Sequence, residues 1–221
     1  MRSVNRGEWP LDEQGSPIKF EHYQDAAPHL KQRLGRFCSF CERKVVASLA
    51  VEHKLPKTAR AELEREWANL LLACSNCNSR KGRQHVEADQ IIWPDTDDTF
   101  NAIDYHRDGS LAPSLTLRPA DQVRAARLMS LCGLDLPMFA SPADHRWIDR
   151  LEIWSLAEKS LSQLRAGDTE SLREHIVRTA AAHGGFSIWM AVFRGDASMC
   201  TALVASYPGT ANRGRQPPQD H

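Results

Sequence analysis

Two cysteine pairs, Cys38 with Cys41 in "CSFC" and Cys74 with Cys77 in "CSNC", limit this chain more than any other feature. Thiolates separated by two residues in a tight turn can take two corners of a tetrahedron. Two such pairs complete a four-sulfur site with no position left for a substrate. Such a site is structural, and its binding energy is folding energy. A redox Cys-x-x-Cys would need a single reactive pair opening a helix within a βαβ pattern, which this chain lacks. An iron–sulfur cluster is the other use of four cysteines, and two closely spaced pairs favour zinc over it. The opening "MRSVNRGEWPLDEQGS" has no apolar leader core and no long apolar run follows, so the expected location is cytoplasmic, with thiols reduced and no membrane contact. Cys132 and Cys200, outside the pairs, read as small apolar residues of helices.

The formal net charge of zero conceals an uneven distribution. Residues 30–85 carry twelve Lys/Arg against five Asp/Glu, whereas residues 86–110 carry seven acidic residues against Arg107 alone. Four thiolates around one Zn²⁺ would lower the first surplus to about plus five. A basic segment of that size suits an anionic polymer, while the neutral whole argues against indiscriminate binding.

Residues 1–35 read as an irregular arm followed by a helix, with Leu30 and Leu34 on one face and Gly35 as its stop. "ASLAVEHKLPK" reads as a strand ended by Pro56, "AELEREW" as a short charged helix or turn, and "NLLLAC" as a second strand. "SNCNSRKG" reads as a helix ended by Gly82. The module so formed spans residues 36–90. An acidic connection, 91–118, follows; its "WPDTDDTF" reads as a turn-rich stretch packing Trp93 and Phe100 on the core rather than as a second metal site. Residues 119–208 read as helical. Pro119 opens a helix through Val123, Arg127 and Leu131 to Gly133, and Ser141-Pro142 opens another through Trp147, Leu151, Trp154 and Leu161. A third runs from Asp168 or Thr169 to Gly184, and a last one from about Asp196 to Tyr207. Trp147, Trp154, Trp189, Met190 and Phe193 are the expected core of this helical region. Residues 209–221 read as a flexible tail. The fold class is therefore α+β: a small ββα module with a four-cysteine zinc knuckle, then a mainly helical region.

Zinc alone does not account for Glu52, His53, Asn69, Asn78 and Lys81. Singly, each has an ordinary use: a strand histidine is commonly a core or surface group, and an asparagine after a cysteine is commonly a cap. Their order through the knuckle, "CSFC…VEHKLPK…EWANLLLACSNCNSRKG", resembles the HNH endonuclease motif, the zinc-stapled form of the ββα-metal nuclease fold. That resemblance covers residues 36–85. It implies that His53 is the general base, that Glu52 and Asn78 hold a catalytic Mg²⁺ or Mn²⁺, and that Asn69 braces the loop orienting His53. Lys81 would join the catalytic set, and Arg80, Lys81 and Arg83 would meet flanking phosphates of DNA. Two positions depart from the family: Glu52 replaces the more usual Asp before the histidine, and Asn78 stands where His is frequent. His85 lies just beyond the motif and reads as solvated.

The residue types suit phosphodiester hydrolysis. A histidine titrating near neutrality can take a proton from water. Oxygen ligands favour a hard divalent cation while thiolates keep zinc, so the two sites sort their metals by ligand type. The wider arrangement also resembles, more loosely, HNH proteins of bacterial anti-phage defence cassettes such as the Septu nuclease subunit. This implies an ABC-type ATPase as partner, met by the helical region. A non-catalytic zinc module binding nucleic acid or protein, and a mobile-element or homing-type HNH enzyme, are the competing functions.

Overall fold

A computed structural model describes residues 1–211. In the N-terminal arm Met1 to Val4 are buried. Helix α1 (Ala27–Leu34) carries a proline in its first turn and buries Leu30 and Leu34. Gly35, at φ 72°, ends it in a conformation that favours glycine.

The first cysteine pair lies in a turn closed by a bridge between Phe37 and Lys44 and by the Cys38 amide donating to the Arg43 carbonyl at 3.0 Å. Strand β1 (Ala50–His53) then pairs antiparallel with β2 (Leu70–Ala73), placing Glu52 opposite Leu71 and His53 opposite Leu70. All four residues of β2 are buried, as a strand covered on both faces requires. Helix α2 (Ser75–Lys81) follows the second cysteine pair and completes a ββα unit; its C-cap is Gly82 at φ 50°.

The acidic connection contains more order than its composition suggests. A short helix α3 (Thr99–Ala102), capped by Asp98, leads into β3 (Ile103–Tyr105), which pairs antiparallel with β4 (Leu111–Pro113). The acidic side chains have defined partners: Asp95 is buried between Arg6 at 2.5 Å and Lys54 at 2.8 Å, and Asp97 meets Arg124 at 2.8 Å. Trp93 is buried as expected, and Phe100 is half-buried against the helical core.

Five helices complete the chain: α4 (Pro119–Cys132), α5 (Arg146–Ala166), α6 (Glu170–His183), α7 (Phe186–Val192) and α8 (Ala197–Ser206). Gly133 adopts the left-handed conformation at the end of α4, its amide donating to the Met129 and Ser130 carbonyls. The inner face of α4 is Ala125, Leu128, Met129, Leu131 and Cys132, whereas Val123, expected on that face, is exposed. Helix α5 begins four residues later than Ser141-Pro142 suggests. The stretch before it closes a turn, with the Asp144 amide donating to Ser141, and the Asp144 carboxylate then accepts from the Arg146 amide.

Apolar packing forms two clusters. One joins the N-terminal arm, α1, the ββα unit, Trp93 and α4; the other joins α5 to α8 and takes Phe37 from the knuckle. Trp189, Met190 and Phe193 are core residues of the second cluster, while Trp147 and Trp154 are half-buried. Glu42, in the turn holding the first cysteines, links the clusters by accepting from the Ser187 amide at 2.8 Å, the Ser187 hydroxyl at 2.6 Å and the Arg2 amide. Gly184 approaches this turn so closely that a Cβ would lie 2.6 Å from the Glu42 carbonyl oxygen and the Lys44 nitrogen. The segment expected to be a flexible tail is docked at its start: Thr210 bridges Val4 and the Ala211 amide donates to Ser3. Residues 212–221 lie outside the described residues. Among the described residues no helix is long and apolar enough to cross a membrane.

Candidate functional site

Cys38, Cys41, Cys74 and Cys77 converge, their sulfurs all within 4.8 Å of one another. Zn–S bonds of about 2.3 Å imply tetrahedral edges of about 3.8 Å. The Cys41 and Cys74 sulfurs are 3.6 Å apart, so the donor set and its spacing fit zinc. Among the described residues this is the one cluster of three or more His, Cys, Asp or Glu side chains placed to hold a metal ion. Burial raises the Cys38 and Cys77 thiols, and hydrogen bonds from Cys38 and Cys74 raise that of Cys41. Zinc uptake must therefore release protons from buried thiols. Cys132 and Cys200 are outside the four: Cys132 is buried with its side chain against Cys77, and Cys200 is half-buried.

The knuckle sets β1 against α2. Successive residues of a strand diverge to opposite faces, and Glu52 and His53 do so. Glu52 turns toward α2, where its Oε1 lies 2.9 Å from Lys81 Nζ. The Glu52 side chain is 10 % exposed and that of Lys81 0 %. Burial raises the Glu52 carboxyl, and the Lys81 ammonium offsets part of that rise. Asn78, half-buried, is three residues before Lys81 and so shares the helix face that meets Glu52.

His53 turns toward the loop joining the two strands. Its Nε2 is 2.8 Å from the Glu64 carbonyl oxygen. A carbonyl can only accept, so Nε2 carries the proton and Nδ1 the lone pair. Burial holds the imidazole below its ordinary pKa, with the Glu64 bond partly opposing, and the neutral form prevails at neutral pH. Tyr23 covers one face of the ring, 4.6 Å between centroids. Asn69 ties the same loop together: its amide nitrogen donates to the Leu55 and Leu63 carbonyls at 3.0 and 3.2 Å, and its oxygen accepts from the Leu55 amide at 2.9 Å.

A model of the HNH endonuclease family matches residues 38–84. Residues 38–84 are an HNH endonuclease domain. The HNH domain thus begins at the first zinc-knuckle cysteine and ends just past α2. The chain is also similar to the Septu protein PtuB of Bacillus thuringiensis, at 36% identity over 69 residues. That stretch is 30% of this chain and 27% of PtuB, so the chain spans about a quarter of the relative's length.

One expectation within the HNH domain changes in the structure, and two groups join the site from outside the motif. Lys81 was expected at the surface among the phosphate contacts, but it is fully buried as the partner of Glu52; Arg80 and Arg83 are the exposed cations of that helix end. Tyr23 and the Glu64 carbonyl, which fix the His53 ring, were not foreseen. Neither carries a sequence signal, because one comes from the N-terminal arm and the other is backbone. His85 is exposed, 3.7 Å from Glu87, and takes no part in the cluster.

Proposed function

We propose that the HNH domain is the catalytic part of a divalent-ion-dependent endonuclease that hydrolyses DNA phosphodiester bonds. The observation that carries this is the state of His53: its Nε2 proton committed to the Glu64 carbonyl, its ring held neutral by burial, and its Nδ1 lone pair left to act as a base. His53 takes the proton of the attacking water, a step that contributes about 10²–10⁴-fold in such enzymes. Glu52 and Asn78 supply the oxygen donors suited to Mg²⁺ or Mn²⁺, which when bound would stabilise the charge developing on the phosphate. Asn69 keeps the Glu64 carbonyl in place and so acts as a positioning residue. Lys81 keeps Glu52 ionised inside the fold. Arg80 and Arg83 meet phosphates on either side of the cut, positioning the strand without reading sequence.

The likeness to a Septu protein supports a defence role; we further propose that it is an anti-phage role in the cytoplasm, with an ABC-type ATPase as a gating partner that docks on the helical region. Plasmid cleavage by wild type and His53→Ala, with Mg²⁺, Mn²⁺ or chelator, tests the catalytic assignment once zinc content is matched. The expected result is metal-dependent cutting by wild type and at least a 10²-fold loss in the variant. If wild type is inactive alone, the comparison is repeated with the product of the neighbouring gene added. Equal cutting by both proteins, or cutting in chelator, would overturn the assignment.

A further inference from the structure

Arg146 opens α5, far from the HNH domain in sequence, yet it is 3 % exposed and sits against the cysteine cluster. A guanidinium has five N–H donors. Here they meet five acceptors. Nε and Nη2 hold the two Asp144 carboxylate oxygens at 2.8 and 2.6 Å. Nη1 reaches the Cys132 carbonyl at 2.8 Å and Nη2 the Gly133 carbonyl at 2.9 Å. The remaining Nη1 donor points to Cys77 Sγ at 3.2 Å. One side chain therefore satisfies the C-terminal carbonyls of α4, the start of α5 and a sulfur carried by α2.

We propose that Arg146 is an outer-sphere clamp of the four-cysteine site, through which zinc retention and docking of the helical region on the HNH domain are coupled. The proposal rests on zinc being the occupant of the four cysteines. A zinc tetrathiolate carries two net negative charges, and a buried guanidinium at hydrogen-bond distance from one sulfur draws electron density from it. That sulfur becomes a poorer base, harder to protonate and displace from the metal when a competing chelator attacks. The planar fork makes this a role for arginine rather than lysine, since the donors that hold Asp144 and α4 also aim the one at Cys77. Outer-shell partners of metal ligands commonly change metal affinity by about 10–100-fold. The coupling runs both ways: loss of zinc removes the charge that Arg146 balances, and the α4–α5 junction loosens with it.

The test uses the full chain. Zinc stoichiometry and the rate of zinc transfer to excess 4-(2-pyridylazo)resorcinol are measured for wild type, Arg146→Lys and Arg146→Ala, with Arg173→Ala, a surface ion-pair change on α6, as control. The expected result is transfer about 10–100-fold faster for Arg146→Ala, intermediate for Arg146→Lys, and unchanged for the control. Cobalt-substituted protein gives an independent signature. Removing an N–H···S bond makes the thiolate more electron-rich, so the sulfur-to-cobalt charge-transfer band should move to longer wavelength. If Arg146→Ala does not fold, Arg146→Lys and Asp144→Asn carry both measurements. Transfer rates within twofold of wild type and an unshifted cobalt band in folded variants would refute the clamp while leaving the zinc site standing. Wild type without one zinc per chain would remove the zinc assignment and the clamp together.

Discussion

Lys81 shows how a residue in a legible motif can hold a different place from the one its type suggests. "NSRKG" at a helix end reads as a run of surface cations, and the helical period decides otherwise. Arg80 and Lys81 are about 100° apart around the axis, so one faces solvent while the other points at β1. The pairing with Glu52 then explains how a carboxylate stays charged at a buried position, since either ion alone would bear the full desolvation cost. Lys81→Met should therefore destabilise the metal-free protein by about 3–5 kcal/mol, the usual cost of breaking a buried pair. Adding Glu52→Gln to it should recover a large part of that loss, because no unpaired charge is left. Urea unfolding of the two single variants and the double variant measures the coupling. An additive result would mean that the two side chains do not act as a pair.

At the scale of elements, sequence pattern reached furthest where a local signal and the tertiary need coincide. The strands at "AVEH" and "NLLLA", the short helix ended by Gly82 and the helix from Pro119 to Gly133 all carry their own start or stop residues. The β3–β4 hairpin was not legible, because three-residue strands give too few positions to establish an alternating period. The start of α5 was misplaced for a related reason: Ser141-Pro142 is a good local opening, but the buried Arg146 draws Asp144 into a turn ahead of the helix. Helix α8 is the opposite case: the sequence sets its start at about Asp196, and Asp196 is found capping it, its carboxylate accepting from the Met199 amide at 3.0 Å. Asp196 also holds Arg173 of α6 at 2.9 Å. Burial is the largest single influence and raises its pKa, but Arg173, the Met199 amide and Ser198 together outweigh it and bring the carboxyl to about 2 from the ordinary 3.8. A carboxyl depressed in the folded state stabilises above its ordinary pKa and loses that contribution as pH falls through the folded value. Asp196→Ala should thus cost about 1 kcal/mol at neutral pH, as loss of a helix cap does. The difference from wild type should shrink between about pH 4 and 2. Thermal melts across that range check both size and sign, and a gap that widens on acidification would contradict the cap.

The molecule as a whole is organised around interior contacts that the sequence boundaries do not reveal. Composition and charge divide the chain near residues 36, 90 and 119, and the motif divides it near 38 and 84. The apolar core crosses all of these. Leu70, Leu71 and Leu72 are fully buried, and the faces that bury them come partly from α1, which lies before the HNH domain, and from the cluster that includes α4 well after it. Glu42, Gly184 and Arg146 then add polar and backbone contacts to the apolar one of Phe37 in joining the knuckle to α5–α7. A metal-binding cysteine cluster can hold a small unit together, but here the four cysteines gather at a hairpin whose outer faces still need cover. Each uncovered leucine would forgo about 1.5–3 kcal/mol of burial, enough to offset most of the stability of a module this small. The polypeptide 36–90, although it contains all four knuckle cysteines and every proposed catalytic residue, should therefore bind zinc without adopting the His53–Glu64 geometry. Its amide NMR spectrum in the presence of one equivalent of zinc should remain poorly dispersed beside that of the full chain. A well-dispersed spectrum, with protected β1 and β2 amides, would instead mean that the zinc staple and the hairpin suffice, and that the arm and helices serve docking alone.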